Sequence, residues 1–151
     1  MTTVLTIHSI LRWLVLLFGI LAVLGAIGGL TGRKPYTARD NKMNLFFMIS
    51  CDIQLLVGII LVVTGGWWDK LKGGMGDVMK DPYNRFFTVE HALIMIIAWI
   101  LVHVGRTSVK KASLDSAKHK KVLIFSGLAL LLILISIPWP FRELVGRPWF
   151  R

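Results

Sequence analysis

"VEHALIMIIAWILVHVGR", Val89 to Arg106, is apolar enough to cross a membrane, yet it carries Glu90 and His91 at one end and His103 near the other. A helix needs ~20 predominantly apolar residues to span the hydrocarbon core. Four runs of about that length stand out: Val4–Leu30, Leu45–Gly66, Phe86–Val104 and Val122–Trp139. They fill most of a chain of 151 residues that is 55% hydrophobic, so no soluble domain fits between them. The sequence predicts an all-α fold. It is one integral membrane domain over residues 1–151, built as a four-transmembrane-helix bundle with spans at 4–30, 45–66, 86–104 and 122–139 and an interfacial tail at 140–151.

The first run lacks a basic leader, is too long for a signal-peptide core and contains Arg12, so it is expected to stay in the mature protein. The net charge of +10 lies in loops beside the spans, which argues against a nucleic-acid partner. Ten basic residues fall in the stretches between spans 1 and 2 and between spans 3 and 4. Seven fall between spans 2 and 3 and in the tail, where Arg142, Arg147 and Arg151 are counted. The positive-inside rule then places both termini on the outer side. Trp67 and Trp68, and the tail aromatics Trp139, Phe141, Trp149 and Phe150, suit an interfacial belt. The lone Cys51 excludes an internal disulfide and a CxxC motif, and reads as a small core residue.

On span 1, His8, Arg12, Val15, Gly19, Ala22 and Ala26 share one face. Two polar residues are followed by a groove of mostly small ones, which suits close helix packing or a slot for a planar cofactor below His8. Spans 1 and 3 run in the same direction, and His8 and His91 each lie one to two turns inside. Imidazoles at matched depth on two helices of a bundle can grip one haem iron from opposite sides. Arg12, Arg85 and Arg142 could pair with the propionates. The plainer alternative makes Arg12, Glu90 and His91 a buried structural cluster with an Arg12–Glu90 ion pair.

His103 lies about 18 Å along the helix from His91 and roughly 120° round it. A second haem would need another deep histidine on a facing span, and none is present. His103 therefore reads as an inner-interface residue or a proton or quinone group, and His119 as a solvated loop residue. Asp52 sits near mid-membrane, where a carboxylate needs a partner or a proton. It could be protonated and bonded across helices, serve a proton or quinone site, or ligate a metal. It is expected of order 10 Å deeper than the histidines. Gln54 aligns with Gly58, Leu61 and Gly65.

"HSILRW" (His8–Trp13), "IQLLVG" (Ile53–Gly58), "RFFTVEH" (Arg85–His91), "GR" (Gly105–Arg106) and "PWPFRELVGRPWF" (Pro138–Phe150) occur in order. Together they resemble a family of short bacterial four-span proteins known as cytochrome b or cytochrome b-like. The resemblance covers essentially the whole chain. It implies functional roles for His8, Arg12, Gln54, Glu90, His91 and Arg142 and a place in the bacterial inner membrane. Many relatives carry His where this chain has Asp52, and His103 lies outside the pattern.

No nucleophile or acid–base pair marks a stand-alone hydrolase or transferase. The first expectation is an oxidoreductase-type electron carrier with one b-type haem held axially by His8 and His91 near the outer face, exchanging electrons with a quinone or a partner protein. The second is a cofactor-free structural or assembly subunit of a membrane complex. The third is a small metal site or transporter using Asp52. Beyond the lipid bilayer, a redox partner, a membrane complex and a homo-oligomer are the partners these readings allow.

Overall fold

The computed structural model describes residues 2–150; Arg151, counted above with the basic tail, lies outside them. Helices α1 (Thr2–Thr31), α2 (Ala38–Thr64), α3 (Trp67–Gly73), α4 (Met75–Lys80) and α5 (Pro82–Arg85) are followed by a π-helical turn over Phe86–Glu90. Helices α6 (His91–Lys111) and α7 (Asp115–Ser136) complete the chain. Four segments, Thr3–Thr31, Ala38–Thr64, Pro82–Lys111 and Asp115–Ser136, are long and apolar enough to cross a membrane. The protein is a multi-pass membrane protein with an all-helical bundle.

The helices outrun the apolar spans, and local chemistry explains why. Thr37 and Asp40 form a capping box. The Thr37 N–H donates to Asp40 Oδ2 at 2.8 Å, and the Asp40 N–H donates to Thr37 Oγ1 at 3.3 Å. This starts α2 seven residues before the predicted Leu45. Lys110 and Lys111 in the last turn of α6 complement its dipole, so that helix continues past Val104. Only Ala112–Leu114 separates α6 from α7. Pro138 and Pro140 then stop the chain from continuing as helix after Ser136.

α1 packs on α2 and α7, and α6 packs on α7 and α2, so α1 and α6 face each other across the bundle. Phe47, Val102, Ala129, Ile133 and Cys51 are buried in the centre. The outward faces carry exposed Leu14, Leu24, Leu56, Ile100 and Leu131. In water those faces would be a severe liability; against lipid tails they are matched.

Small residues set the helix spacing. A methyl group on Gly19 would stand 2.9 Å from the Phe47 ring. Of the two readings of this face, close helix packing holds: Phe47 of α2 closes it at Gly19, and Ala22 and Ala26 are buried in a cluster with Val109 and Val122, which leaves no slot there. At Gly105 an added Cβ would collide with Phe125 of α7. Gly105→Ala is expected to push α6 from α7 at a cost of about 1–3 kcal/mol, the usual range for overpacking. Thermal unfolding in detergent measures it, and an unchanged midpoint would refute the tight contact.

His119 corrects the reading of a solvated loop. It lies one turn inside α7, is 1% exposed, and its ring fills the space left by Gly29 of α1. The Tyr36 ring lies 5.1 Å away, and burial in this corner pushes the Tyr36 phenol above its ordinary 10.0. Trp67 also departs from a simple belt role. It packs on Tyr83 and Phe87 with centroids 6.0 and 5.7 Å away, whereas Trp68 remains exposed.

Candidate functional site

The end of the bundle that carries the N-terminus gathers His8, Arg12, Gln54, His91 and the tail. His8 of α1 and His91 of α6 meet across the diagonal with ring centroids 6.4 Å apart and planes at 69°. Imidazole nitrogens bind metal at about 2.0 Å, so two imidazoles on opposite sides of one ion have ring centres about 6 Å apart. The pair could hold one iron between them.

His91 is aimed by two features. The π-turn Phe86–Glu90 sits immediately before it, with the His91 N–H reaching back to the Phe86 carbonyl. Such a turn shifts the facing of residues across it relative to a continuous α-helix. The second feature is a bond of 2.9 Å between His91 Nδ1 and the Ser136 carbonyl of α7. A carbonyl only accepts, so Nδ1 carries the hydrogen and Nε2 of the neutral ring carries the lone pair. A metal-bound histidine is held in the same way.

His8 is positioned through its backbone. Gln54 Nε2 donates to the His8 carbonyl at 3.0 Å. One turn further along α2, Gly58 lies beside the His8 ring, and a Cβ there would stand 3.4 Å from it, in ordinary van der Waals contact. His8 Nδ1 and Arg12 Nε are buried and find no hydrogen-bond partner among the described residues. Two unsatisfied polar groups one turn apart are uncommon in a packed interior. Donors of this type fit a haem: an imidazole for the iron and a guanidinium N–H for a propionate.

The expected Arg12–Glu90 ion pair does not form. Glu90 Oε1 accepts from Arg85 Nε at 2.7 Å. Residues five apart face each other across a π-turn, so Glu90 meets its own neighbour in sequence rather than α1. Arg12 Nη2 instead donates to the Trp149 carbonyl at 2.7 Å. The tail folds back over the bundle end and packs Trp149 and Phe150 within 6.2 and 5.7 Å of Trp13. Arg142 lies over the Phe86 ring at 4.6 Å and donates to the Ile135 and Ile137 carbonyls at 3.3 and 3.4 Å. Phe86 in turn lies 5.8 Å from His91. Arg142 thus braces the wall beside His91, and Arg85 is committed to Glu90.

Glu90→Gln is accordingly expected to leave the His8–His91 pair intact. Both partners of the Arg85–Glu90 bond are more than a third exposed, so the loss in stability should stay below about 1 kcal/mol. A thermal shift much larger than that would place Glu90 in the structural core after all.

Asp52 turns away from this site. Its Oδ1 accepts from Trp99 Nε1 at 2.6 Å and lies 3.2 Å from His103 Nε2, both on α6. Among the described residues no group of three or more His, Cys, Asp or Glu gathers to hold a metal ion.

The sequence reading missed Ser136 as the partner of His91, Gly58 as a neighbour of the His8 ring, and the Trp149 carbonyl as the partner of Arg12. Gly58 lies on the Gln54 face singled out above; the other two contacts involve backbone carbonyls, which leave no trace in composition. Comparisons with protein-family models, curated proteins and solved structures find no match for this chain.

Proposed function

We propose that this chain is an electron-transfer protein of the bacterial inner membrane, with one b-type haem held between His8 and His91. The observation that carries this reading is the 6.4 Å separation of the two imidazoles, brought together from helices on opposite sides of the bundle. A bound haem supplies one-electron chemistry at a potential set by its ligands and surroundings. Ser136 fixes the His91 tautomer, Gln54 and Gly58 seat His8, and Arg12 offers its unused Nε–H to a propionate. Phe86 lies beside His91, and the tail packs on Arg12 and Trp13 at the same end of the bundle. The resemblance to cytochrome b-like proteins points the same way. The excess of basic residues in the two loops at the opposite end favours an outer location for this end of the bundle under the positive-inside rule, and there the protein would exchange electrons with a quinone or a partner protein.

The test is an absorption spectrum of the detergent-purified protein, oxidised and dithionite-reduced, after expression with haem supplied. A sharp reduced α band at one haem per chain is the expected result. A colourless, folded protein that refuses added haem would overturn the reading. The filled Gly19 groove and the Arg12–Trp149 bond favour a second reading, a cofactor-free structural subunit, and that outcome would support it.

A further inference from the structure

The haem reading makes no use of Asp52, His103 and Trp99. By helix rise, Asp52 lies about 18 Å from one end of α2 and about 21 Å from the other, close to mid-span. Ionisable groups at that depth ordinarily point into a bundle. Here the side chains of His103 and Asp52 are 33% and 40% exposed, in the seam between α2 and α6. Exposed Ile53, Leu56, Ile100 and Val104 occupy the outward faces of the same helices. The polar pair therefore opens towards lipid.

Its hydrogen bonding is incomplete in a particular way. His103 Nδ1 lies 3.1 Å from the Trp99 carbonyl, so that nitrogen carries a hydrogen. His103 Nε2 faces Asp52 Oδ1 at 3.2 Å. Trp99 Nε1 donates to the same Oδ1. Both contacts fall on Oδ1, and Oδ2 takes part in neither. The Trp99 and His103 rings lie beside it, 4.3 Å apart with their planes tilted by 41°. A groove of about 360 Å³ begins at His103 and runs past Val104, Thr107 and Ser108 to Lys111 at the end of α6.

A ligand for this place must arrive through the hydrocarbon, carry a hydroxyl for Asp52 Oδ2, and pack among the aromatic rings of Trp99 and His103. Acyl chains offer no donor at mid-depth, and lipid headgroups do not reach it. We propose that Asp52, His103 and Trp99 form a lipid-facing seat for the head group of a membrane hydroquinone, whose hydroxyl donates to Asp52 Oδ2. This deepens the electron-carrier reading and rests on it for the identity of the ligand.

The test is equilibrium binding of a radiolabelled short-chain naphthohydroquinone to the full chain in lipid nanodiscs, under anaerobic conditions, with the absorption spectrum recorded on the same samples. Saturable binding is expected, weakened about tenfold in Asp52→Asn, because the amide oxygen is held by the Trp99 N–H and the Oδ2 position then carries an NH2 group, which cannot accept the ligand's hydroxyl. Val104→Trp, placed on an exposed wall of the groove, should also weaken binding without disturbing the fold. Equal affinity in wild type and both variants, or no saturable binding, would overturn the proposal. So would loss of a dimer in Asp52→Asn with binding unchanged, which would assign the pair to an interface between copies. Saturable binding by a haem-free protein would retain this seat and remove the electron-carrier reading; a haem spectrum without binding would do the reverse.

Discussion

His91→Ala is expected to abolish the reduced α band of the haem-supplied protein, and His8→Ala to do the same, while both variants remain folded. The two imidazoles are the donors proposed for the iron at this end of the bundle, and among the described residues no other histidine lies near enough to replace either. His103 is about 18 Å further along α6, and His119 is buried at the other end under Gly29. Loss of groups that merely orient a metal ligand costs 10–100-fold in affinity, so loss of the ligand itself should cost at least about that much. The fold should survive, because the bundle is held by Phe47, Val102, Ala129 and their neighbours rather than by the imidazoles. Optical titration with haem, together with circular dichroism on the same samples, measures both quantities. If both variants keep the wild-type spectrum, the iron is held elsewhere and the proposed ligation is wrong.

Arg106→Leu is expected to be the most damaging of the stability substitutions considered, at about 3 kcal/mol. Arg106 is 6% exposed, and its Nη1 donates to Asn41 Oδ1 at 2.7 Å and to Asn44 Oδ1 at 3.2 Å. Asn44 Nδ2 passes the network on to Ser126 Oγ at 3.3 Å, so α6, α2 and α7 are tied together. Leucine removes charge-assisted bonds worth roughly 1.5–3 kcal/mol and strands the buried Asn44 oxygen, at a further cost of about 1–3 kcal/mol. Part of this is returned because a buried charge no longer has to be desolvated. For a chain of this size the melting midpoint should fall by roughly 5–10 °C. Arg106→Lys should recover part of the loss by keeping a cation near Asn41. A Leu variant that melts within about 1 °C of wild type would show that the network contributes little to stability.

These two expectations differ in how much of them could be read from the sequence. His8 and His91 were legible, because hydropathy locates the spans and helix rise fixes depth along them. Arg106 was legible as a loop charge beside Val104 and as part of the quoted Gly105–Arg106 pair, but not as a buried residue. Its burial depends on α6 continuing to Lys111 and on Asn41 and Asn44 lying on a helix started early by Thr37 and Asp40.

The sequence by itself determined four membrane spans, their boundaries to within a turn or two, and the presence of two histidines at one depth. Those properties are local: they follow from apolar run length, from capping residues and from a rise that is the same in every helix. Only the tertiary structure decided who meets whom. The π-turn gave Glu90 to Arg85, and the returning tail gave Arg12 to Trp149. Gly29 admitted His119 to the interior, and the α2–α6 seam joined Asp52 to His103. Partner choice depends on which helices are neighbours and how each is rotated about its axis. Neither quantity is encoded in any single span.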